Sequence, residues 1–145
     1  MNINSSLQKE TDIKKTYQGS CHCGAVHFEA DIDLAAGTRK CNCSICFKTR
    51  AWMAFIPADA FRLLSGQQHL REYQFARKSI HHIFCAQCGV RPFAHGNDGK
   101  GNRFYAVRVN CLDGVDPQEL IDAPVSYFNM LHDDFKSPPA ETRHL

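Results

Sequence analysis

Apolar and polar residues alternate along this chain in short runs. Behind Gly24, the residues Val26, Phe28 and Ala30 alternate with His27 and Glu29, the period-two pattern of a half-buried strand. "AWMAFIP" reads as another strand, stopped at Pro57, and "FRLLSG", "LREYQFA" and "SIHHIF" follow as short runs separated by Gly66, Gln67 and Arg77. "RPFAHG" and "NRFYAVRVN" extend the series across a glycine-rich turn. Helical signals are brief: Ser44 to Thr49, and "DPQELID", with Asp116 as cap and Pro117 at the first helical position. Many short strands at close intervals predict a mainly β chain of small antiparallel sheets folded around its cysteine-bearing turns.

Composition narrows the class. A chain of 145 residues is one ordinary domain. Residues 1–16 are polar and read as a flexible tail, leaving 17–145 as a single domain. No apolar run approaches the ~20 residues of a membrane helix, so no membrane partner is expected. The net charge of +2 provides no electrostatic footprint for a polyanion, so nucleic acid is not favoured, and a homo-oligomer is left open. The polar start, "MNINSSLQKETDIKK", lacks the apolar stretch of a secretory signal; the expectation is a cytoplasmic protein with reduced thiols.

Eight cysteines change the picture. Their spacings are too tight for an unstrained disulfide framework, whereas short loops deliver several sulfurs to one metal readily. "CHCG" supplies Cys21 and Cys23 from one turn, and "FCAQCGV" supplies Cys85 and Cys88 from a C-x-x-C-G knuckle. Two tight pairs make the four-thiolate set of a closed, structural zinc site. "CNCSIC" then crowds Cys41, Cys43 and Cys46 into six positions. Three sulfurs hold zinc and leave one tetrahedral position open, as catalytic sites do, unless Cys111, His22 or another histidine closes the set. Three thiolates on Zn²⁺ carry a net −1 charge and make a poor generator of hydroxide. Such a centre suits a fourth sulfur, so the chemistry expected is activation of a small thiol as a thiolate nucleophile.

"GSCHCGAVHFEA", "CNCSIC", "FCAQCGVRPF" and "VNCLDG" occur in the order and approximate spacing of the glutathione-dependent formaldehyde-activating (Gfa) family, the S-(hydroxymethyl)glutathione synthases, to which centromere protein V is related. The chain resembles that family from about Tyr17 to about Met130. The resemblance implies a β-tent fold, a structural zinc on Cys21, Cys23, Cys85 and Cys88, and a catalytic zinc on Cys41, Cys43 and Cys46. It also implies a carbon–sulfur lyase or synthase joining glutathione to formaldehyde, as in formaldehyde detoxification. A glutathione-like thiol carries two carboxylates, for which Lys48, Arg50 and Arg91, close in sequence to the cysteines, are candidate partners.

Other residues have plainer readings. His81 and His82 are neighbours on a strand and point to opposite faces, so both cannot line one site. His22 and His95 are candidates to approach the second centre as proton acceptors. Trp52, Phe47 and Phe93 are candidates for its walls, and Cys111 for core or pocket wall. Two functions compete with thiol activation. One is a zinc-stabilised module binding protein or nucleic acid; the other is an iron redox centre, whose usual cysteine spacings differ from these.

Overall fold

The structure, a computed structural model, describes residues 14–145. Most of the expected tail lies outside that range, and Lys15 and Thr16 at its end already belong to the first strand. The described residues hold eleven strands: β1 (Lys15–Ser20), β2 (His27–Ile32), β3 (Thr38–Cys41), β4 (Met53–Pro57), β5 (Phe61–Ser65), β6 (Leu70–Tyr73), β7 (Ile80–Cys85), β8 (Phe93–Asn97), β9 (Arg103–Arg108), β10 (Leu112–Asp113) and β11 (Val125–Phe128). Two one-and-a-half-turn helices, α1 (Ser44–Thr49) and α2 (Pro117–Asp122), complete the list of longer elements.

The strands form a four-stranded sheet, order β10-β1-β2-β5, and a seven-stranded sheet, order β11-β3-β4-β9-β8-β7-β6. Pairing is antiparallel except between β3 and β11, which run parallel with Phe128 beside Cys41. Alternation decides what each face meets. On β2, Phe28, Ala30 and Ile32 are buried while His27, Glu29 and Asp31 turn outward. There Arg62 clamps Asp31 with two guanidinium nitrogens, at 2.8 and 3.1 Å, and reaches Glu29 at 2.6 Å. The inner faces of the two sheets enclose an aromatic core in which Phe61 stacks on Tyr105 at 4.1 Å and touches Phe93 at 4.6 Å. Trp52 and Phe93 therefore serve the core, and Trp52 Nε1 also donates to the buried Thr38 hydroxyl at 2.7 Å, pinning β3 in place.

α2 starts as its sequence dictates: the Asp116 carboxylate accepts from the Gln118 amide at 2.9 Å, with Pro117 in the first turn. α1 ends at Arg50, which holds a left-handed conformation (φ 54°, ψ 45°) that β-carbon-bearing residues seldom adopt. The chain thus reverses sharply within four residues of Cys46.

β1 and β2 touch most closely at Gly19, opposite Phe28. A β-carbon on Gly19 would sit 2.1 Å from the tip of the Phe28 ring, and that ring is fully enclosed by the core. Gly19→Ala is therefore expected to destabilise the fold by about 1–3 kcal/mol through overpacking. Urea unfolding checks this as a lower midpoint with an unchanged slope.

Candidate metal centres

Two turns bring the first four sulfurs together. The turn after β1 is closed by the Cys21 amide on the Val26 carbonyl (3.1 Å), and the turn after β7 by the Cys85 amide on the Val90 carbonyl (3.0 Å). Each turn also needs a glycine at positive φ, Gly24 at 80° and Gly89 at 76°. The Sγ atoms of Cys21, Cys23, Cys85 and Cys88 all lie within 4.8 Å of one another, with Cys23 3.7 Å from both Cys21 and Cys85. Four sulfurs arranged tetrahedrally about 2.3 Å from a zinc ion are separated by about 3.8 Å, so the donor set fits that metal. Backbone amides point at the sulfurs as well: Val26 at Cys21 (3.3 Å) and Gln87 at Cys85 (3.4 Å). The Cys23 amide, followed by that of Val90, lowers Cys88 to about 6, so it ionises at neutral pH. Val26, Leu63, Leu70 and Val90 pack around the cluster.

The second cluster forms over a single short stretch. Cys41 ends β3, Cys43 caps the head of α1, and Cys46 lies inside the helix. Their Sγ atoms are also mutually within 4.8 Å, and the Cys43 amide points at Cys41 Sγ (3.4 Å). Hydrogen bonds from Cys41 and Cys46 hold Cys43 well below the usual thiol range. Hydrogen bonds with Cys41, then with Cys43, drive Cys46 far above it. Three thiolates this close repel strongly, so the trio carries its full charge only around a cation. Among the described residues no fourth cysteine, histidine or carboxylate joins it. Cys111 stands apart, its Sγ facing the Arg91 carbonyl at 3.8 Å and its thiol pushed up to about 11 by burial. His22 is exposed on the first metal turn.

The trio opens on a cavity of ≈ 360 Å³ on the outer face of the seven-stranded sheet. Register builds its floor. Phe55, Ala106, Ala94 and His82 face one another across β4, β9, β8 and β7, while Met53 pairs with Arg108 one row nearer the cysteines. The two alanines leave room at the centre, and aromatic rings rise on both sides. Phe55, Phe128 and Phe135 form one wall through contacts of 6.2 and 5.3 Å, and Phe75, stacked on His82 at 5.5 Å, forms the other. Polar groups are confined to the sulfurs, His82 and Arg108. Arg108 is 6 % exposed, yet its Nε has no partner, and neither has Nδ1 of the buried His82. Burial opposes the Arg108 charge, but a guanidinium keeps its proton, leaving a cation beside the trio. Burial, then the charges of Arg108 and Arg91, hold His82 below its usual range, so its imidazole is neutral at pH 7.

The remaining sequence candidates fall elsewhere. Lys48 and Arg91 line a second depression with Ser44, Thr49 and Tyr73, adjoining the cavity through Ile45 and Phe75. One guanidinium nitrogen of Arg91 is itself buried without a partner. Arg50 instead donates to the His144 carbonyl at 2.9 Å, and Phe47 lies against the His144 ring. His95 stacks on His81 at 4.5 Å, on the core side of the sheet, so it does not approach the trio. Sequence reasoning missed Arg108, the cavity-facing role of His82, and Asn42. The Asn42 side chain bonds Asn129 (2.8 Å) and the Leu131 amide (3.0 Å), tying the trio to the segment that carries Phe128 and Met130. Alternation along "NRFYAVRVN" does place Arg108 on the face of Phe104 and Ala106, a signal available in the sequence.

Sheets gathered around two thiolate clusters define a cysteine-rich, metal-site class of β domain. The chain matches the model of the glutathione-dependent formaldehyde-activating enzyme family over residues 16–129, and it belongs to that family. A Halomonas elongata protein provisionally named a glutathione-dependent formaldehyde-activating enzyme is 30 % identical over 102 residues; the match covers 56 % of this chain and 65 % of that relative. A crystal structure of a Rhodobacter sphaeroides protein superposes with a TM-score of 0.65 at 33 % identity, covering 75 % of this chain and 99 % of that one.

The two clusters differ in how the fold uses them, and metal content together with stability separates them. Purified protein is expected to carry about two divalent ions per chain, one for each cluster. Cys85→Ser should lose one ion and the cooperative unfolding transition, since structural zinc supplies folding energy directly. Cys43→Ser should lose one ion and keep the transition. Mass-spectrometric metal analysis alongside calorimetry checks both.

Proposed function

We propose that this protein is a zinc-dependent carbon–sulfur lyase or synthase that activates a small, glutathione-like thiol for addition to an aldehyde. The observation that carries the reading is the three-sulfur cluster, lacking a fourth protein donor among the described residues and facing a cavity with a buried, unpaired guanidinium. Cys21, Cys23, Cys85 and Cys88 would hold a structural ion, and Cys41, Cys43 and Cys46 the reactive one. Bound there, that second ion would supply the Lewis acidity that lets a small thiol ionise near neutral pH. The names of the matched family and of the Halomonas relative, which specify glutathione and formaldehyde, support the same chemistry.

The chain's own groups then have distinct tasks. Lys48 and Arg91 offer charge to the carboxylates of the thiol in the depression beside α1. Neutral His82 is placed to accept the thiol proton. Arg108 faces the oxygen of the electrophile and stabilises the negative charge that develops there, in a setting poor in competing dipoles. As the carbon–sulfur bond forms, the carbonyl π pair becomes an alkoxide lone pair, and that oxygen takes the proton released by the thiol. The reverse reaction expels the thiolate. Apolar walls limit water, which would otherwise hydrate the aldehyde.

Cobalt exchange tests this reading without relying on turnover. Glutathione added to the cobalt form is expected to strengthen the sulfur-to-metal charge-transfer band in the near ultraviolet, whereas S-methylglutathione should not. A spectrum indifferent to saturating glutathione removes the proposal. Arg91→Glu should raise the glutathione concentration for half the change by roughly tenfold, the scale of a lost hydrogen bond to a charged group.

A further inference from the structure

The cavity beside the cysteine trio is far larger and more apolar than formaldehyde requires. Formaldehyde has two non-hydrogen atoms, scarcely more bulk than a water molecule at ~30 Å³, whereas the cavity of ≈ 360 Å³ is about twelve times that. Its floor is Ala94 and Ala106, and side chains of any other size there would remove the space. Phe55, Phe75 and Phe135, 44, 37 and 67 % exposed, stand around it although the core gains little from rings left in water. Polar contact is offered at the sulfur end alone, by Arg108 and His82. Glutathione, with two carboxylates and an ammonium, does not match such a lining, and the basic depression next to α1 already suits it. The two compartments share Ile45 and Phe75, so a thiol in one and a second reactant in the other would meet at the trio.

We propose that the cavity receives the hydrocarbon body of the electrophile, so that the favoured substrates are medium-chain or aromatic aldehydes rather than formaldehyde. The inference rests on the thiol-activation reading above. The aldehyde carbon lies toward the trio with its oxygen toward Arg108, and the chain extends over Ala94 and Ala106 toward Phe104 and Ile80. Each buried methylene contributes to transition-state binding, so specificity climbs with chain length until the cavity is full.

Initial rates above the spontaneous reaction, measured for zinc-loaded protein with glutathione and the series formaldehyde, propanal, butanal, pentanal and hexanal, test this. From propanal upward kcat/KM should rise about fourfold for each added methylene, the equivalent of ~0.8 kcal/mol. Ala94→Leu should cut the hexanal-to-propanal ratio at least tenfold. Independently of turnover, 1-hexanol should shift the Ala94 and Ala106 methyl resonances, and formamide should not. Formaldehyde accelerated with no gain along the series overturns this inference and leaves the thiol reading standing; no acceleration of any aldehyde removes both. Methyl shifts that grow with protein concentration and ignore hexanol overturn it in favour of a second copy of the chain covering the cavity.

Discussion

Thiolates held within 4.8 Å of one another repel, and the architecture of this protein follows from collecting seven of them into two such groups. A cation among the sulfurs turns that repulsion into cohesion. The first group fastens the turn after β1 to the turn after β7, one on each sheet, and so sets how the sheets face each other. Amides of Val26 and Gln87, and the glycines that let these turns close, are placed to favour ionised sulfur. The second group is assembled within six residues and fastens little, because β3 is already held by Trp52, Thr38 and β11. The first cluster therefore joins two sheets, while the second stays within one stretch of chain and faces the cavity.

The seven-stranded sheet converts a period of two into a division of labour. Ala54, Ile56, Phe93 and Val107 face the core, and Met53, Phe55, Ala94, Ala106 and Arg108 face the cavity. Neither set can change register without the other, since a one-residue slip would exchange buried and exposed faces along the whole strand. The two alanines at matched positions on β8 and β9 are as much a part of the site as the sulfurs, because any larger pair would fill it.

Legibility in the sequence tracked how local each feature is. The grouping of sulfurs is a matter of turns two to four residues long, so spacing alone separates the set of four from the set of three. Strands with clear alternation, such as 27–32 and 103–108, and the Asp116–Pro117 helix start are equally local. β3 and β11 were not foreseen: "TRKC" and "VSYF" are only four residues each, and their parallel pairing joins positions far apart in sequence. The cavity was illegible for the same reason. Phe47 and Trp52 are neighbours of the trio in sequence but do not line its cavity, whereas Phe128 and Arg108 reach it through strand pairing. Asn42, in the middle of C-x-C, has its role only once the segment near Asn129 is folded against it.

Arg108 bears on the charge of the three-cysteine cluster. A divalent ion on three thiolates has a net charge of −1, and burying it uncompensated would be expensive. A guanidinium in the same cavity, with no carboxylate partner of its own among the described residues, would bring such an ensemble to neutrality. On the proposed thiol chemistry, an arriving thiolate would restore one negative charge in surroundings that solvate it poorly, a condition that favours nucleophilic sulfur. Attack on a carbonyl would then move that charge onto oxygen, beside the same cation. On that reading the guanidinium would act at both ends of the charge transfer, and a neutral residue of equal size would preserve the shape of the cavity while losing both.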